Sequence, residues 1–378
     1  MASAAPVELP QFKGRPGWEF TDISGLDLAA YEPVTEAEAA DPIETLFSVG
    51  QRSAYPDGVI VAPIEEAPPE LLGSVVAADD LFTLLNNSAE YRAGSFVYVP
   101  RGVVLEEPIS LQTVHPRDGG LLHQRTLIVL EEGAQAEVWE QYLSAGVEQN
   151  GVLNVVTELV VGDNARLRYV SGQNLSEQSW IFGAQRAEVG RDAGLDWVAL
   201  GFGSTNGRVR METKLAGEGA EARVTGAYAS HSRQHIDFDT TQEHAAPNTT
   251  SDLAFRGVLQ GRSTAVWKGN IIVDPGAQKT DAFQDSRNLL ISKRAHADAI
   301  PGLEIQANDV RCTHAAAVAQ VDPEQLFYLR SRGLREDIAK RLVIEGFLSA
   351  LVERFEAGPV RERLGEALER RLALILGD

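Results

Sequence analysis

The chain's only cysteine, Cys312, stands two residues before a histidine, His314. On a strand, residues i and i+2 project from one side. A thiol and an imidazole would then lie side by side, with Arg311 and Thr313 on the opposite face. Both groups are good ligands for iron. Two ligands leave a tetrahedral site half filled, so a metal held here takes its other ligands from another chain. A second reading is structural: a small buried cysteine beside a histidine whose hydrogen bonds are satisfied. A third is a nucleophile and its base, but neighbours on one strand do not aim the imidazole at the thiol.

Other residues offer less. His231, His235 and His244 gather around Asp237, Asp239 and Glu243. A four-residue spacing would align His231 with His235 on a helix. Residues 236–240 instead alternate as a strand does, which favours a solvated strand and turn over a metal site. His115, His123 and His296 stand alone. The segment Gly201-Phe202-Gly203-Ser204-Thr205-Asn206-Gly207 misses the dinucleotide fingerprint, and no helical pattern follows it. It reads as a β-turn. No Gly-x-x-x-x-Gly-Lys-Ser/Thr run occurs, so nucleotide hydrolysis has no support.

Composition narrows the field further. The 378 residues include 34 Lys and Arg against 54 Asp and Glu, a net charge of −20. That balance opposes sequence-independent nucleic-acid binding, in which basic side chains replace phosphate counterions. It also opposes docking on an anionic membrane. One cysteine excludes an intrachain disulfide framework, a zinc ribbon and an iron–sulfur cluster held by the chain's own thiolates. No run approaches the ~18 apolar residues of a spanning helix, and the first ten residues lack the pattern of a signal peptide. The expectation is a cytoplasmic protein in a reducing compartment.

Three zones must position these residues. Residues 1–90 are rich in Pro, Asp and Glu, with short helical patterns at 36–47 and 78–85. Residues 91–321 read as strand after strand. Residues 322–378 read as helix. In the middle zone a Gly turn followed by Ala and an aliphatic recurs. Its alanines, 136, 165, 193 and 222, lie 29, 28 and 29 residues apart. A fixed period with short strands predicts stacked coils, two strands and two turns per repeat. An antiparallel meander or sandwich is the alternative that periodicity leaves open. In the last zone Asp322-Pro323-Glu324 starts a helix that Gly333 closes. A longer helix is predicted over 335–355. After Gly358-Pro359 a last one carries Val360, Leu364, Leu368, Leu372 and Ile375. These apolar stripes pack on the β zone or present a partner surface; residue type favours packing.

Residues 309–333 carry a further signal. The run Asp309-Val310-Arg311-Cys312-Thr313-His314-Ala315-Ala316-Ala317-Val318-Ala319-Gln320-Val321-Asp322, then Glu324-Gln325-Leu326-Phe327-Tyr328-Leu329-Arg330-Ser331-Arg332-Gly333, resembles the C-terminal signature of the SufB/SufD family, most like its SufD branch. Phe96-Val97-Tyr98-Val99-Pro100-Arg101-Gly102, Arg125-Thr126-Leu127-Ile128-Val129-Leu130, His244-Ala245-Ala246-Pro247-Asn248-Thr249 and Gly17-Trp18-Glu19-Phe20-Thr21 are similar to family motifs as well. The family pattern continues after the histidine as Gly-Ala-Thr-Val-Gly, whereas here residues 315–319 are Ala-Ala-Ala-Val-Ala. Alanines there favour a regular strand over glycine's positive φ.

The resemblance implies a mainly β fold, a right-handed parallel β-helix (a stacked β-solenoid) flanked by N-terminal and C-terminal helical regions. It implies a scaffold for iron–sulfur cluster assembly, not an enzyme, that pairs with a SufB-like chain and docks a SufC-type ATPase through its C-terminal helices. The cluster would be transient, shared with the partner and not held stably by this chain alone. His314 falls on the family's ligand, with Cys312 beside it. Leu326, Phe327, Tyr328, Arg330, Arg332, Gly333 and Phe347 fall in the ATPase-docking region. Having no other cysteine, the chain does not resemble the sulfur-accepting SufB side. The alternatives are a SufB-like chain acting as a homodimer, and a β-helical polysaccharide-acting enzyme using Asp237 and Asp239.

Overall fold

The computed structural model describes residues 18–35, 40–50 and 54–377. Two short strands, β1 (Glu32–Pro33) and β2 (Ile60–Pro63), and helix α1 (Leu81–Ser88) come first. Sixteen strands follow: β3 (Ala93–Val99), β4 (Ile109–His115), β5 (Gly120–Leu130), β6 (Gln135–Ser144), β7 (Val152–Val161), β8 (Arg166–Asn174), β9 (Trp180–Val189) and β10 (Gly194–Gly201), then β11 (Asn206–Leu215), β12 (Glu221–Ser230), β13 (His235–His244), β14 (Thr250–Leu259), β15 (Thr264–Val273), β16 (Asp281–Leu290), β17 (His296–Ile305) and β18 (Arg311–Gln320). Helices α2 (Pro323–Ser331), α3 (Glu336–Val352) and α4 (Pro359–Leu376) end the chain.

From β3 onward the strands alternate between two parallel sheets. One runs β17-β15-β13-β11-β9-β7-β5-β3 and the other β18-β16-β14-β12-β10-β8-β6-β4. Each coil gives one strand to each sheet, so the chain is a β-solenoid, and the sandwich alternative falls away. The register is unbroken: Gln135, Arg166, Gly194, Glu221, Thr250, Asp281 and Arg311 lie in one row across the second sheet. Inward side chains fill the space between the sheets, with Tyr169, Trp197, Phe255 and Trp267 almost wholly buried. Apolar runs on both faces of a strand are what a sheet covered on two sides needs.

The corners explain the sequence period, with a shift. The buried alanine column is Ala134, Ala165, Ala193 and Ala220, because Ala136 pairs with Leu167 and Leu195 with Ala222. The predicted column of 136, 165, 193 and 222 is therefore two residues late at its first and last members. Unequal corner lengths between coils hide that slip from a spacing count. At these corners Gly133, Asn164, Asp192, Gly219 and Asn248 take positive φ, which suits Gly, Asn and Asp. Gly217 answers a different need, since a Cβ there would lie 2.0 Å from Arg191 N.

Outer layers cover both sheets. Trp18, Ile23, Leu81 and Phe82 pack with Leu121, Val152 and Phe182 on the first sheet. Ile344, Leu348, Leu351, Leu364, Leu368, Leu372 and Ile375 pack on Trp139, Val170, Val198 and Ala227 of the second. Packing thus accounts for the α4 stripe and for α3 from Ile344 onward, while Ile338 and Leu342 at the start of α3 stay exposed. The helix predicted at 36–47 does not form over its described part, residues 40–47; residues 36–39 lie outside the described residues, as does Gly17 of the N-terminal motif. There Leu46 N and Phe47 N donate to Gln141 Oε1, at 2.9 and 3.2 Å, and both side chains are buried. The segment gains more from that docking than a short helix would give alone.

Candidate functional site

Strands β17 and β18 form the last coil. Among the described residues β17 pairs only with β15 and β18 only with β16. Both leave a free edge, a ready template for pairing with another chain. Cys312 lies opposite Ala282 and His314 opposite Gln284. In a parallel ladder, paired residues face the same side, and Gln284 faces inward: its Nε2 donates to Gly269 O at 3.3 Å and Gly302 O at 3.2 Å. Cys312, His314, Ala316 and Val318 therefore line the inward face of β18, as the i, i+2 spacing predicts.

Among the described residues no further coil covers that face. Val318 of β18 is 43% exposed and Ile305, at the end of β17, also 43%. The end of the solenoid is thus an open apolar cross-section carrying one imidazole and one thiol. The two differ in setting. His314 is exposed and has no hydrogen-bond or ion-pair partner among the described residues. Cys312 is half-buried against Ile271, Val273, Ala277, Ala282 and Ala307. Burial pushes its thiol up from the ordinary value, and the Asp281 carboxylate adds to the effect. The imidazole is the readier ligand of the two. Residues 315–319 continue the ladder opposite 285–289 as regular strand. One coil below, Gln284 Oε1, Ser286 Oγ and Asn288 Nδ2 are buried without partners, so polar groups lie directly beneath the open end.

Beyond β18, Asp322 caps α2 by accepting from Glu324 N at 2.9 Å. Gly333 leaves α2 at φ 91° and the Leu334 N–H reaches back to Leu329 O at 3.3 Å, closing the helix in Schellman form. α2 has no buried residue. Phe327 is 74% and Tyr328 56% exposed, with the Arg332 guanidinium 5.1 Å from the Tyr328 ring. Arg330 reaches Glu336 at 3.5 Å. Leu326 is half-buried. Phe347 lies apart from this face, half-buried against the core beneath α3.

The other histidines do not converge. His231 meets Glu177, His235 Nδ1 meets Thr264 Oγ1 at 2.7 Å, and His244 sits between Thr249 and Ser251. Among the described residues no three His, Cys, Asp or Glu side chains are gathered as for a metal ion. Asp237 is buried under the N-terminal segment, accepting from Thr21 Oγ1 at 2.5 Å; burial raises its pKa to about 6. Asp239 pairs with Arg208 at 2.7 Å. Asp237 fastens the N-terminal layer, Asp239 ties β13 to Arg208 of β11 and Lys268 of β15, and the two stand on one strand, not across a groove. Residues 202–205 link β10 to β11 not as a hydrogen-bonded β-turn but as a solenoid corner, with Phe202 N donating to Gln173 O at 3.1 Å and Thr205 N to Ser179 O at 2.7 Å on the preceding coil. Sequence reasoning passed over Arg371 of α4, 5% exposed, which donates to Ala229 O and Gln234 Oε1, both at 2.9 Å. Its place in the Leu368, Leu372, Ile375 stripe was the available signal.

No helix among the described residues is long and apolar enough to cross a membrane. A family profile described as the SufBD core domain of SUF-system FeS cluster assembly matches residues 113–347. The chain is 30% identical over 325 residues to an iron–sulfur cluster assembly SufBD family protein of Mycobacterium tuberculosis, covering 84% of this chain and 80% of that one. It is 33% identical over 288 residues to the iron–sulfur cluster assembly protein SufD of Bacillus subtilis, covering 76% and 66%. A SufBD family protein of Synechocystis is 29% identical over 334 residues, covering 82% and 68%. A profile spanning the open coil and its flanking helix, with relatives matching over most of their length, leads to one conclusion: the chain belongs to the SufBD family of iron–sulfur cluster assembly proteins.

Proposed function

We propose that the chain is a SufD-like scaffold subunit, not an enzyme, that completes a cluster-assembly site with a SufB-like partner. The observation that carries this reading is the open last coil, where two unpaired strand edges flank an inward face bearing Cys312 and His314. Edge pairing gives main-chain hydrogen bonds to a partner, and the apolar rim of Val318 and Ile305 gives area to bury. His314 supplies the iron ligand from this side. Cys312 is the adjacent second donor, held back by its half-buried setting. The cluster is cargo: one thiol and one imidazole cannot retain it without donors from the partner.

The exposed face of α2, with Phe327, Tyr328, Arg330 and Arg332, docks the SufC-type ATPase. Its place directly after β18 ties ATPase movement to the assembly edge. Co-expression with the cognate SufB-like chain and ATPase, followed by gel filtration, tests the reading. The expected result is a complex of all three. A chain that elutes alone, or only as a pair with itself, overturns the heteromeric assignment.

A further inference from the structure

The corners that return the chain from the second sheet to the first change character along the stack. The first corner carries Arg117 with Asp118 and the next two carry Glu148 and Glu177, while the later ones carry Arg233, Arg262, Lys293 and Arg294. Arg233, Arg262 and Arg294 line one open depression of about 610 Å³. All three are exposed, and their guanidinium groups have no ion-pair or hydrogen-bond partner among the described residues. In a chain of net charge −20, where most arginines of the β zone are paired, three unpaired neighbours need a reason. Stacked coils put successive corners about 4.8 Å apart, so the three exposed guanidinium groups can converge on one anion.

The depression also contains Ser232 and Thr205, two hydroxyl donors. Ser232 Oγ lies 3.1 Å from His231 Nδ1. One carboxylate, Glu177, lines the depression as well. It does not neutralise the three arginines: it meets His231 and lies 3.6 Å from the buried Arg371. Arginine forks match the oxygens of a tetrahedral oxyanion two at a time. We propose that this corner binds a phosphate-class oxyanion, either free phosphate or the phosphate groups of a small ligand, through Arg233, Arg262 and Arg294. The site lies on the solenoid flank and reaches the corner that enters β17 of the last coil.

The test is calorimetric titration of the full chain with inorganic phosphate and with pyrophosphate, at constant ionic strength set by sodium chloride. Saturable one-site binding is expected. Arg262→Ala should weaken it roughly tenfold, the scale of a lost charge-assisted contact, and Arg262→Lys should weaken it less. Saturation by phosphate identifies the free ion; saturation by pyrophosphate alone identifies a polyphosphate ligand. Both variants alter an exposed side chain, and thermal melts verify that they fold. Absence of saturable heat from either anion overturns the proposal. So does equal affinity in wild type and Arg262→Ala, or binding of an oligoglutamate peptide with neither phosphate bound.

Discussion

Cys312 and His314 share a face but not an environment, and that difference sets their chemistry. The thiol packs among aliphatic side chains with the Asp281 carboxylate nearby, and its pKa is raised. A thiol reacts as its thiolate. Alkylation of Cys312 by iodoacetamide should therefore be slow at neutral pH and accelerate with a midpoint above the ~8.5 of a free thiol. Fast alkylation at pH 7 would show that the thiolate is available and that the apolar setting has been misjudged. The pairing of the two residues was legible from their two-residue spacing. That they sit on the last, uncovered coil was not, because nothing in a local pattern marks where a stack ends. The one available hint was composition: residues 311–320 hold a single large apolar side chain, Val318, where each inner strand holds two or more aliphatic or aromatic ones.

At the scale of elements, the three C-terminal helices divide into two kinds. α4, and α3 from Ile344 onward, bury their stripes on the second sheet, while α2 buries nothing. Leu368→Ala should cost about 2–5 kcal/mol, the usual loss for a buried leucine, read as a lower denaturation midpoint. Phe327→Ala with Tyr328→Ala should leave that midpoint within about 0.5 kcal/mol yet abolish co-elution with the ATPase. A stable double variant that still binds the ATPase removes α2 from the docking surface. Apolar periodicity foretold α3 and α4 within a few residues of their ends, since a helix stripe is a local property. The same reasoning failed at 40–47, where the partner of Leu46 and Phe47 is Gln141, far away in sequence. It also placed the alanine column two residues late at both ends, because register belongs to neighbouring coils and not to one strand.

For the molecule as a whole, acid should be destabilising. His123 and His244 are buried, and desolvation lowers each pKa from 6.5 to about 4. Between those values the unfolded chain takes up protons that the folded one refuses. Stability is therefore full above about 6.5 and falls as pH drops toward 4. Asp237, raised from 3.8 to about 6, acts in the opposite sense, losing stability as pH rises through that range, so it offsets part of the slope. His244→Asn should flatten the dependence of unfolding free energy on pH between 6.5 and 4. An unchanged slope would mean that His244 titrates normally in the fold.

The same whole-molecule view explains why the lone cysteine matters. On the proposed reading, a family member with one thiol supplies part of a site, and the free edges of β17 and β18 are where the rest arrives. The most direct test is the iron and sulfide content of the complex reconstituted with its SufB-like chain and ATPase, compared between wild type and His314→Ala. His314 is exposed at the open end, so the variant complex should elute intact and lose most of its iron and sulfide. An intact His314→Ala complex with wild-type iron and sulfide would contradict the assignment of this coil as half of the assembly site.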